Sequence, residues 1–216
     1  MDRLLSGLRL GPARWIVVSG NIGTGKSTLI SFLHDYFKVK VFFEPNQNNP
    51  FLKRFYQDMK RWAFYSQVFF LIKKFELHLL MSESEEPCIL DRTIYEDAEV
   101  FARTLHRLGF MSDEEFAKYN LLYTTLASLL KPPDLVIYLK CSTETIMKRI
   151  KARGRKEEQN VSESYIKMLN RAYNRWLSKY SLSPVIVLRT DRIDFVSDIV
   201  DQMDVLKMVA KVLGRE

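Results

Sequence analysis

The chain has 216 residues, of which 47% are hydrophobic, and it carries a formal net charge of +7. That length suits one compact domain with a substantial core. The sequence has no apolar run near the ~18 residues that a membrane-spanning helix needs and no secretory signal pattern, so we expect no association with a membrane. The positive charge suits nucleic acids and anionic nucleotides equally, and it does not choose between them.

The segment 1–14 contains arginines spaced among leucines, together with Asp2. A mitochondrial transit peptide shares the arginines but is longer and poor in acidic residues. We therefore expect a flexible prefix at 1–14, a single domain at 15–216 and a cytoplasmic protein, with a mitochondrial location as the alternative if the prefix is a targeting segment. Cys88 and Cys141 border apolar runs, which indicates buried, reduced thiols.

A phosphate-binding loop follows the first apolar run. A strand pattern at 15–18, a glycine-rich turn and apolar residues at helical spacing from Leu29 onward form the context in which G-x-x-x-x-G-K-[ST] binds a nucleotide. Lys26 is placed to reach the β- and γ-phosphates, and Ser27 to bind Mg²⁺ through its hydroxyl. We therefore expect ATP or GTP to bind at Gly20, Asn21, Ile22, Gly23, Thr24, Gly25, Lys26, Ser27 and Thr28, with backbone N–H groups around the phosphates.

Further apolar runs predict buried strands at 39–43, 88–90, 135–139 and 185–188. Helical patterns lie between them, at 62–81, 94–108, 114–130, 143–151 and 162–177. Strands that alternate with helices predict an α/β fold, with a five-stranded parallel sheet covered by helices on both faces. Ligands of such sheets bind at the carboxyl ends of the strands, and this rule selects Glu44, Asp91 and Arg92.

These three side chains suit a phosphoryl transfer. The carboxylate of Glu44, just past the second strand, can accept the proton of an attacking hydroxyl group. Asp91 follows the third strand as a Walker-B-like acid, so it is either the competing base or, with Ser27, a Mg²⁺ ligand. Arg92 can orient the acceptor oxygen and neutralise developing charge.

A third cluster of charge predicts an arginine-rich lid at about 153–160. Arg149 and Arg153 are four residues apart and share a helix face, and Arg155 follows Gly154. Guanidinium groups match phosphate oxygens, so these arginines are suited to closing over a triphosphate. A charged helix end with ion pairs along the helix is the alternative interpretation.

The helix predicted at 62–81 is apolar almost all round in its first half, which predicts a buried helix. Gln67 lies within that half and needs hydrogen-bond partners there. Either another protein group or the edge of a nucleobase held among the aromatic residues would satisfy it.

Taken together, these motifs resemble the deoxyribonucleoside kinases, and most closely the bacterial deoxyadenosine/deoxyguanosine kinases. The resemblance covers 15 to about 195 and is carried by GNIGTGKST, the Glu44-Pro45 pair, Tyr56 with Trp62 and Gln67, DRTIYEDAEVFA from Asp91, and RGRKEEQ from Arg153. It implies a P-loop kinase fold, a homodimer joined through helices, and nucleotide salvage. The implied reaction is ATP- and Mg²⁺-dependent phosphorylation of the 5′-hydroxyl of a deoxyribonucleoside.

The resemblance also implies roles for single residues. Glu44 contacts the 5′-hydroxyl as a base, Asp91 is the other candidate base or a metal ligand, and Arg92 lies at the 5′-oxygen. Tyr56 and Glu158 hold the 3′-hydroxyl, Gln67 pairs with the base and Asp191 lies in the loop at the donor's adenine. Charge on the transferring phosphoryl group is stabilised by Lys26, Arg92, Arg149, Arg153 and Arg155.

Asp97 occupies the position that in this family distinguishes the bases. An ionised carboxylate accepts from an exocyclic amine and repels a carbonyl oxygen. Gln67 can accept from the adenine amine while donating to its ring nitrogen, and cytosine presents the same pattern. We expect deoxyadenosine as the preferred substrate, deoxycytidine or deoxyguanosine as further substrates, and thymidine to be disfavoured.

Two other functions stay open. A nucleoside-monophosphate kinase of the thymidylate kinase type shares the loop and the carboxylates, but it needs arginines near Glu44, where the sequence has Asn and Gln at 46–49. A nucleic-acid-dependent ATPase needs a further binding module, for which 216 residues leave little room. We therefore expect small-molecule partners and no nucleic acid.

Overall fold

The computed structural model describes residues 15–43, 48–155, 158, 161–193 and 198–212. The predicted prefix at 1–14, the candidate base Glu44 and part of the predicted lid lie outside these residues.

Five strands of the described chain form one parallel sheet, in the order β2-β3-β1-β4-β5. The strands are β1 (Trp15–Gly20), β2 (Lys40–Phe42), β3 (Cys88–Asp91), β4 (Leu135–Lys140) and β5 (Val185–Arg189). The three central strands are buried along nearly their whole length, as expected of a parallel sheet covered on both faces. The predicted five-stranded sheet is thereby confirmed.

Helices cover both faces of the sheet. They are α1 (Lys26–Phe37), α2 (Leu52–Gln57), α3 (Met59–Ser82), α4 (Ile94–Glu96), α5 (Arg103–Arg107), α6 (Asp113–Ala127), α7 (Thr143–Arg153), α8 (Glu163–Leu177) and α9 (Ile199–Val212). A π-helical turn, Asp97–Ala102, joins α4 to α5. One hydrophobic core lies between one face of the sheet and the helices α1 and α9. A larger core is formed mainly by side chains of the helices from α3 to α8. The predicted layer architecture is therefore confirmed.

Side-chain caps fix several helix starts. Ser112 and Glu115 form a capping box at α6, while Ser142 and Ser162 accept backbone N–H groups at α7 and α8. Asp58 accepts from the backbone N–H of Arg61, so α3 begins at Met59, earlier than the apolar pattern indicated. The short α2 and the C-terminal α9 were not predicted.

The prediction that α3 is buried all round is wrong. Tyr65 is 50% exposed and Ile72 46%, although Ala63, Gln67 and Leu71 are buried. The helix buries one face and leaves large apolar side chains on another, because it packs against only part of the domain. No helix in the described part of the chain has both the length and the apolarity to cross a membrane.

Candidate active site

The phosphate-binding loop lies between β1 and α1, where the sequence predicted it. Gly20 closes β1 with φ +149°, and a Cβ atom there would lie 2.8 Å from Oγ1 of Thr24 and 3.0 Å from the carbonyl oxygen of Leu139. Gly25 precedes α1 with φ +98°. Both positions need glycine, one for close approach and the other for its left-handed backbone.

The carbonyl oxygen of Gly20 accepts from three side chains. Nζ of Lys26 lies at 3.1 Å, Nε of Arg92 at 3.2 Å and the hydroxyl of Tyr173 at 2.9 Å. Lys26 also donates to the carbonyl of Asn21 at 3.0 Å. Two cations are thus held at the carbonyl with which the loop begins.

Helix α8 supports the loop from behind. Nδ2 of Asn21 donates to Oδ1 of Asn170 at 2.8 Å and to the carbonyl of Ile166 at 3.1 Å. Asn170 in turn donates to the carbonyl of Cys141 at 3.1 Å. The sequence analysis missed Asn170 and Tyr173, although both lie at helical spacing among the apolar residues that α8 buries.

A pocket beside the loop, here called the α3 pocket, gathers most of the predicted site. Its apolar walls include Phe55, Phe70, Phe101 and Tyr165. The predicted site residues that line it are Ile22, Gly23, Lys26, Ser27, Tyr56, Gln67, Asp91, Arg92, Asp97, Arg153, Arg155 and Glu158. Residues from the ends of β1 and β3, from five helices and from the π-helical turn therefore converge on one cavity, as the strand-end rule implies.

Gln67 lies in the wall of this pocket and is only 5% exposed. Among the described residues, its side-chain oxygen Oε1 has no hydrogen-bond partner. A buried amide without a partner is costly, so a ligand that donates to it gains binding energy.

Asp97 forms a buried ion pair that the sequence analysis missed. Oδ1 of Asp97 lies 2.8 Å from Nζ of Lys74, and the side chain of Lys74 has no exposed surface. An ammonium group at this distance favours the ionised carboxylate. Lys74 lies two turns after Gln67 on the same face of α3, and a lysine within an apolar helix face was the available signal.

Arg92 has an unusual backbone and a buried neighbour. Its φ is +66°, a conformation that few non-glycine residues adopt and that clusters at functional sites. The guanidinium carbon lies 4.8 Å from the centre of the Phe101 ring. Burial raises the pKa of the neighbouring Glu96 to about 8, although Arg92 and Lys74 act to lower it.

Ser27 and Asp91 line the α3 pocket together and offer a hydroxyl and a buried carboxylate. These are oxygen ligands of the kind that Mg²⁺ prefers, and Mg²⁺ usually takes only one or two of them from the protein, with substrate phosphates supplying others. The described residues contain no cluster of three or more His, Cys, Asp or Glu side chains that could hold a metal ion.

A second pocket, here called the β5 pocket, lies on the other side of the loop. It is lined by Gly23, Thr24, Gly25, Lys26, Ser27, Thr28, Arg149, Arg153, Arg155, Asp191, Arg192 and Ile193. Arg149 donates to the carbonyl of Thr24 at 3.1 Å and to that of Thr190 at 2.7 Å. In this structure, its guanidinium group joins the loop to the end of β5.

Asp191 holds the start of α7. Its carboxylate accepts from the backbone N–H of Ser142 at 3.0 Å. Burial opposes its ionisation, but hydrogen bonds from Ser142, Thr145 and Cys141 outweigh this effect and lower the pKa of Asp191 to about 2. Its charged side chain thus fixes the edge of the β5 pocket.

The described part of the predicted lid contains its key charges. Glu158 forms ion pairs with Arg153 and, at 3.5 Å, with Arg155. Glu158 is buried while Arg155 is half exposed, and all three line the α3 pocket. Both arginines also line the β5 pocket, so the lid borders the two cavities.

Comparison with known proteins shows which family the chain is similar to. The deoxynucleoside kinase family model matches residues 16–214. The chain is 34% identical over 202 residues to a deoxyadenosine/deoxycytidine kinase of Bacillus subtilis (strain 168), covering 92% of each protein. It is 39% identical over 202 residues to a deoxyguanosine kinase of Lactobacillus acidophilus, covering 90% of this chain and 88% of that protein.

Among solved structures, the deoxyadenosine kinase from M. mycoides with bound dATP matches with a TM-score of 0.80 at 29% identity. The match covers 89% of this chain and 99% of that one. The P-loop kinase fold expected from the resemblance is therefore confirmed. The chain belongs to the deoxynucleoside kinase family, and it is an enzyme that phosphorylates deoxyribonucleosides.

Proposed function

We propose that this enzyme transfers the γ-phosphoryl group of ATP to the 5′-hydroxyl of deoxyadenosine, and less readily to deoxycytidine or deoxyguanosine. The observation that carries the proposal is the pair of pockets at the phosphate-binding loop, whose linings share Gly23, Lys26, Ser27, Arg153 and Arg155. One cavity suits the donor and the other the acceptor, and the shared residues lie where a phosphoryl group would pass between them.

The β5 pocket is the proposed donor site. The backbone N–H groups of the loop and the N-terminus of α1 supply phosphate-binding partners, and Lys26 reaches the transferring group by leaving the Gly20 carbonyl. Arg149 keeps the loop in shape through the carbonyl of Thr24, so we propose that it acts on the phosphates largely through the loop. Asp191 stays our proposed neighbour of the donor's adenine.

The α3 pocket is the proposed acceptor site, and its polar groups favour bases that carry an amine. An Asp97 carboxylate paired with Lys74 accepts from an exocyclic amine, while the Gln67 amide both donates and accepts. Adenine and cytosine meet this pattern, whereas thymine would set a carbonyl oxygen against the carboxylate. We assign the 3′-hydroxyl to Tyr56 and Glu158.

The chemical step needs a base and positive charge at the acceptor oxygen. Asp91 lines the α3 pocket next to Arg92, so either it or Glu44 accepts the proton of the 5′-hydroxyl. Arg92 orients that oxygen, and Lys26, Arg153 and Arg155 stabilise the charge on the equatorial oxygens. Lid closure would exclude water that otherwise hydrolyses ATP.

Ser27 and Asp91 would hold Mg²⁺ together with the ATP phosphates. Bound there, the ion neutralises phosphate charge and keeps the donor oxygens in line. Its removal by a chelator should abolish turnover, and addition of MgCl₂ should restore it.

We further propose a homodimer that works in nucleotide salvage in the cytoplasm. Helices α3 and α6 pack together and carry exposed apolar side chains, including Ile72, Leu80, Leu121 and Leu122. An exposed apolar face of this kind is typical of a protein–protein interface. The two cysteines are buried and free, which fits a reducing compartment.

The decisive experiment is ADP release from MgATP with deoxyadenosine, deoxycytidine, deoxyguanosine, thymidine, thymidylate and single-stranded DNA as separate acceptors. We expect the highest kcat/KM with deoxyadenosine, the lowest of the nucleosides with thymidine, and no stimulation by thymidylate or DNA. Turnover with thymidylate alone would show a monophosphate kinase, and turnover that needs DNA would show a nucleic-acid-dependent ATPase.

Two variants tie this activity to the site. Glu44→Gln and Asp91→Asn separate the candidate bases, because the substitution of the true base should lower kcat by roughly 10²–10⁴-fold. A rise in the Mg²⁺ concentration needed for half-maximal activity would mark the substituted residue as a metal ligand instead. If neither substitution lowers kcat, both assignments are wrong.

A further inference from the structure

Glu96 lies directly behind Arg92 and has no role in the proposed reaction. The two residues are one helical turn apart, and the hydroxyl of Thr93 between them accepts from the backbone N–H of Glu96 at 3.4 Å. Oε1 of Glu96 lies 3.7 Å from Nε of Arg92, and the carboxyl group has no exposed surface. Because Arg92 lines the α3 pocket, Glu96 supports the site from the protein interior.

Several charged and titratable groups face this carboxyl group. Arg92 and Lys74 favour its ionised form, as does the hydroxyl of Ser19, whereas Asp97 opposes ionisation. Tyr138 on β4 and Tyr180 after α8 also face this group: burial is the main cause that raises the pKa of both tyrosines, and an ionised Glu96 would add to it. Within the described part of the chain, neither oxygen of Glu96 has a hydrogen-bond partner in this arrangement, although the Ser19 hydroxyl lies close enough to favour the ionised form.

This environment keeps the buried carboxyl group protonated at neutral pH. Desolvation is the largest effect on Glu96 and raises its pKa to about 8, since ionisation in the interior without hydrogen bonds is costly. The group therefore changes charge within the range in which enzymes are commonly assayed.

Arg92 has two competing acceptors for the same N–H group. Its Nε donates to the Gly20 carbonyl at 3.2 Å, while the carboxyl oxygen of Glu96 lies slightly beyond hydrogen-bond distance at 3.7 Å. The guanidinium group is charged in either arrangement, but a carboxylate adds the attraction between opposite charges that a backbone carbonyl lacks. An ionised Glu96 would therefore compete for the guanidinium group, whereas a neutral one leaves it on the loop.

We propose that Glu96 is a positioning residue for Arg92: its protonated carboxyl group leaves the guanidinium on the Gly20 carbonyl beside the acceptor, and its ionised form draws the guanidinium away from the pocket. The inference rests on the proposed function, since it assumes that Arg92 acts on the acceptor oxygen. In this proposal, the charge of Glu96, which lies behind the site, controls the position of the Arg92 side chain within it.

The test is the pH profile of kcat for deoxyadenosine with saturating MgATP. In the wild-type enzyme, kcat should fall about tenfold from pH 7 to pH 9, because only about a tenth of a group that titrates near pH 8 stays protonated at pH 9. Glu96→Gln copies the neutral form, so its kcat should stay within about threefold of wild type at pH 7 and remain level to pH 9. KM for deoxyadenosine should hardly change.

Three further variants separate positioning from general structural support. Glu96→Ala removes the group behind Arg92 and should lower kcat about tenfold at both pH values. In an Arg92→Lys background, Glu96→Gln should no longer alter the pH profile, because the competing N–H group is gone. Glu99→Gln is the matched control: Glu99 pairs with Arg103 in the same helical segment, and this variant should follow the wild-type profile.

Several outcomes would overturn the inference. One is a fall in kcat from pH 7 to pH 9 that is as large in Glu96→Gln as in wild type. Another is a loss of kcat at pH 7 that is as large in Glu96→Gln as in Glu96→Ala. The third is a wild-type kcat that stays level between pH 7 and pH 9. Thermal melts at both pH values would reveal whether Glu96→Gln folds poorly. Even then, a level wild-type profile would overturn the inference, because that measurement needs no variant. A wild-type enzyme inactive on every deoxynucleoside would overturn the proposed function instead.

Discussion

Arg92 shows how a single residue links the sheet to the pocket. Its backbone N–H donates to the carbonyl of Val18 at 3.2 Å, which extends the pairing of β3 with β1. Its side chain then crosses to the Gly20 carbonyl and lines the α3 pocket. The left-handed backbone is a local cost that the surrounding contacts must offset, which is common at functional sites.

Arg92→Ala should lower kcat by roughly 10²–10³-fold, because a donor aimed at transition-state charge is lost. KM for deoxyadenosine should change far less, and the thermal melting temperature should stay close to that of wild type. Arg107→Ala, at an exposed position at the end of α5, is the matched control and should leave kcat unchanged. An effect of Arg92→Ala on KM alone would contradict the assigned role.

The buried Lys74–Asp97 pair should contribute to stability, and Asp97 also lines the α3 pocket in which we propose that the base binds. Lys74→Met leaves a buried carboxylate without its cation and should lower the free energy of unfolding by roughly 3–5 kcal/mol. The double variant Lys74→Met/Asp97→Asn should recover at least half of that loss, since it leaves no unpaired charge at these two positions. Thermal or urea unfolding measures both, and an equal loss in the single and double variants would refute this account.

At the level of elements, α8 acts as a support for the phosphate-binding loop. It buries an apolar face that includes Ile166, Leu169 and Trp176, and it places Asn170 and Tyr173 against Asn21 and Gly20. A loop rich in glycine has few side chains of its own with which to fix its shape. Its geometry therefore depends on hydrogen bonds from a neighbouring helix.

Asn170→Ala should raise KM for ATP about tenfold, which corresponds to about 1.4 kcal/mol, with a smaller effect on kcat. The reason is that the side chain of Asn21 loses one of its two acceptors on α8, and the loop becomes less well ordered before ATP binds. ATP titration of the variant measures this effect. Asn174→Ala, one turn further along and exposed, is the control; an equal rise in KM there would contradict the role of Asn170.

At the level of the whole molecule, the buried His78 makes stability depend on pH. Burial is the main cause that lowers the pKa of His78 to about 3, and the charge of Lys74 adds to it. Its ring packs edge-on against Trp15 and Tyr95, and within the described chain neither ring nitrogen has a hydrogen-bond partner. Below pH 6.5 the unfolded chain binds a proton here that the folded chain does not, so folding loses stability as the pH falls.

The expected loss is about 1.4 kcal/mol for each pH unit below 6.5. Glu96 contributes with the opposite sign, because its raised pKa makes folding gain stability as the pH falls from 8 towards 4.5. The difference between wild type and His78→Phe isolates the histidine: it should shift by about 2 kcal/mol in favour of the variant between pH 7 and pH 5. His34→Gln, at an exposed histidine, should show no such shift.

The proposed dimer is the second prediction at this scale. Light scattering should give about twice the 25.4 kDa of the chain, and Leu121→Lys should give a monomer, because Leu121 is 67% exposed on α6 beside the apolar face of α3. Leu182→Lys changes a leucine that is 51% exposed outside these two helices and should remain dimeric. A monomeric wild type, or a dimer that tolerates Leu121→Lys, would show that this face has another purpose.

Much of the fold and part of the site could be predicted from local patterns in the sequence. The loop at 20–28, the parallel strands and the strand-end residues Asp91 and Arg92 all follow from short-range signals: glycine spacing, continuous apolar runs and the position of polar residues directly after them. Such signals need no knowledge of which elements become neighbours. Where the signal was short, as for α2, no helix was predicted. The helical pattern at 94–108 was confirmed, but local spacing did not reveal the π-helical turn within it.

The sequence by itself therefore determined the fold class, the nucleotide-binding loop and the chemical character of the strand ends, because each depends on residues close together in the chain. Only the tertiary structure decided that Lys74 pairs with Asp97, that Asn170 and Tyr173 hold the loop, and that Glu96 lies sealed behind Arg92. Some of those contacts join residues that are far apart in the chain, and the others depend on how deeply a residue is buried. Local sequence patterns encode neither of these. The energies of these contacts depend on the removal of charged and polar groups from water. That removal occurs only when the helices pack on the sheet.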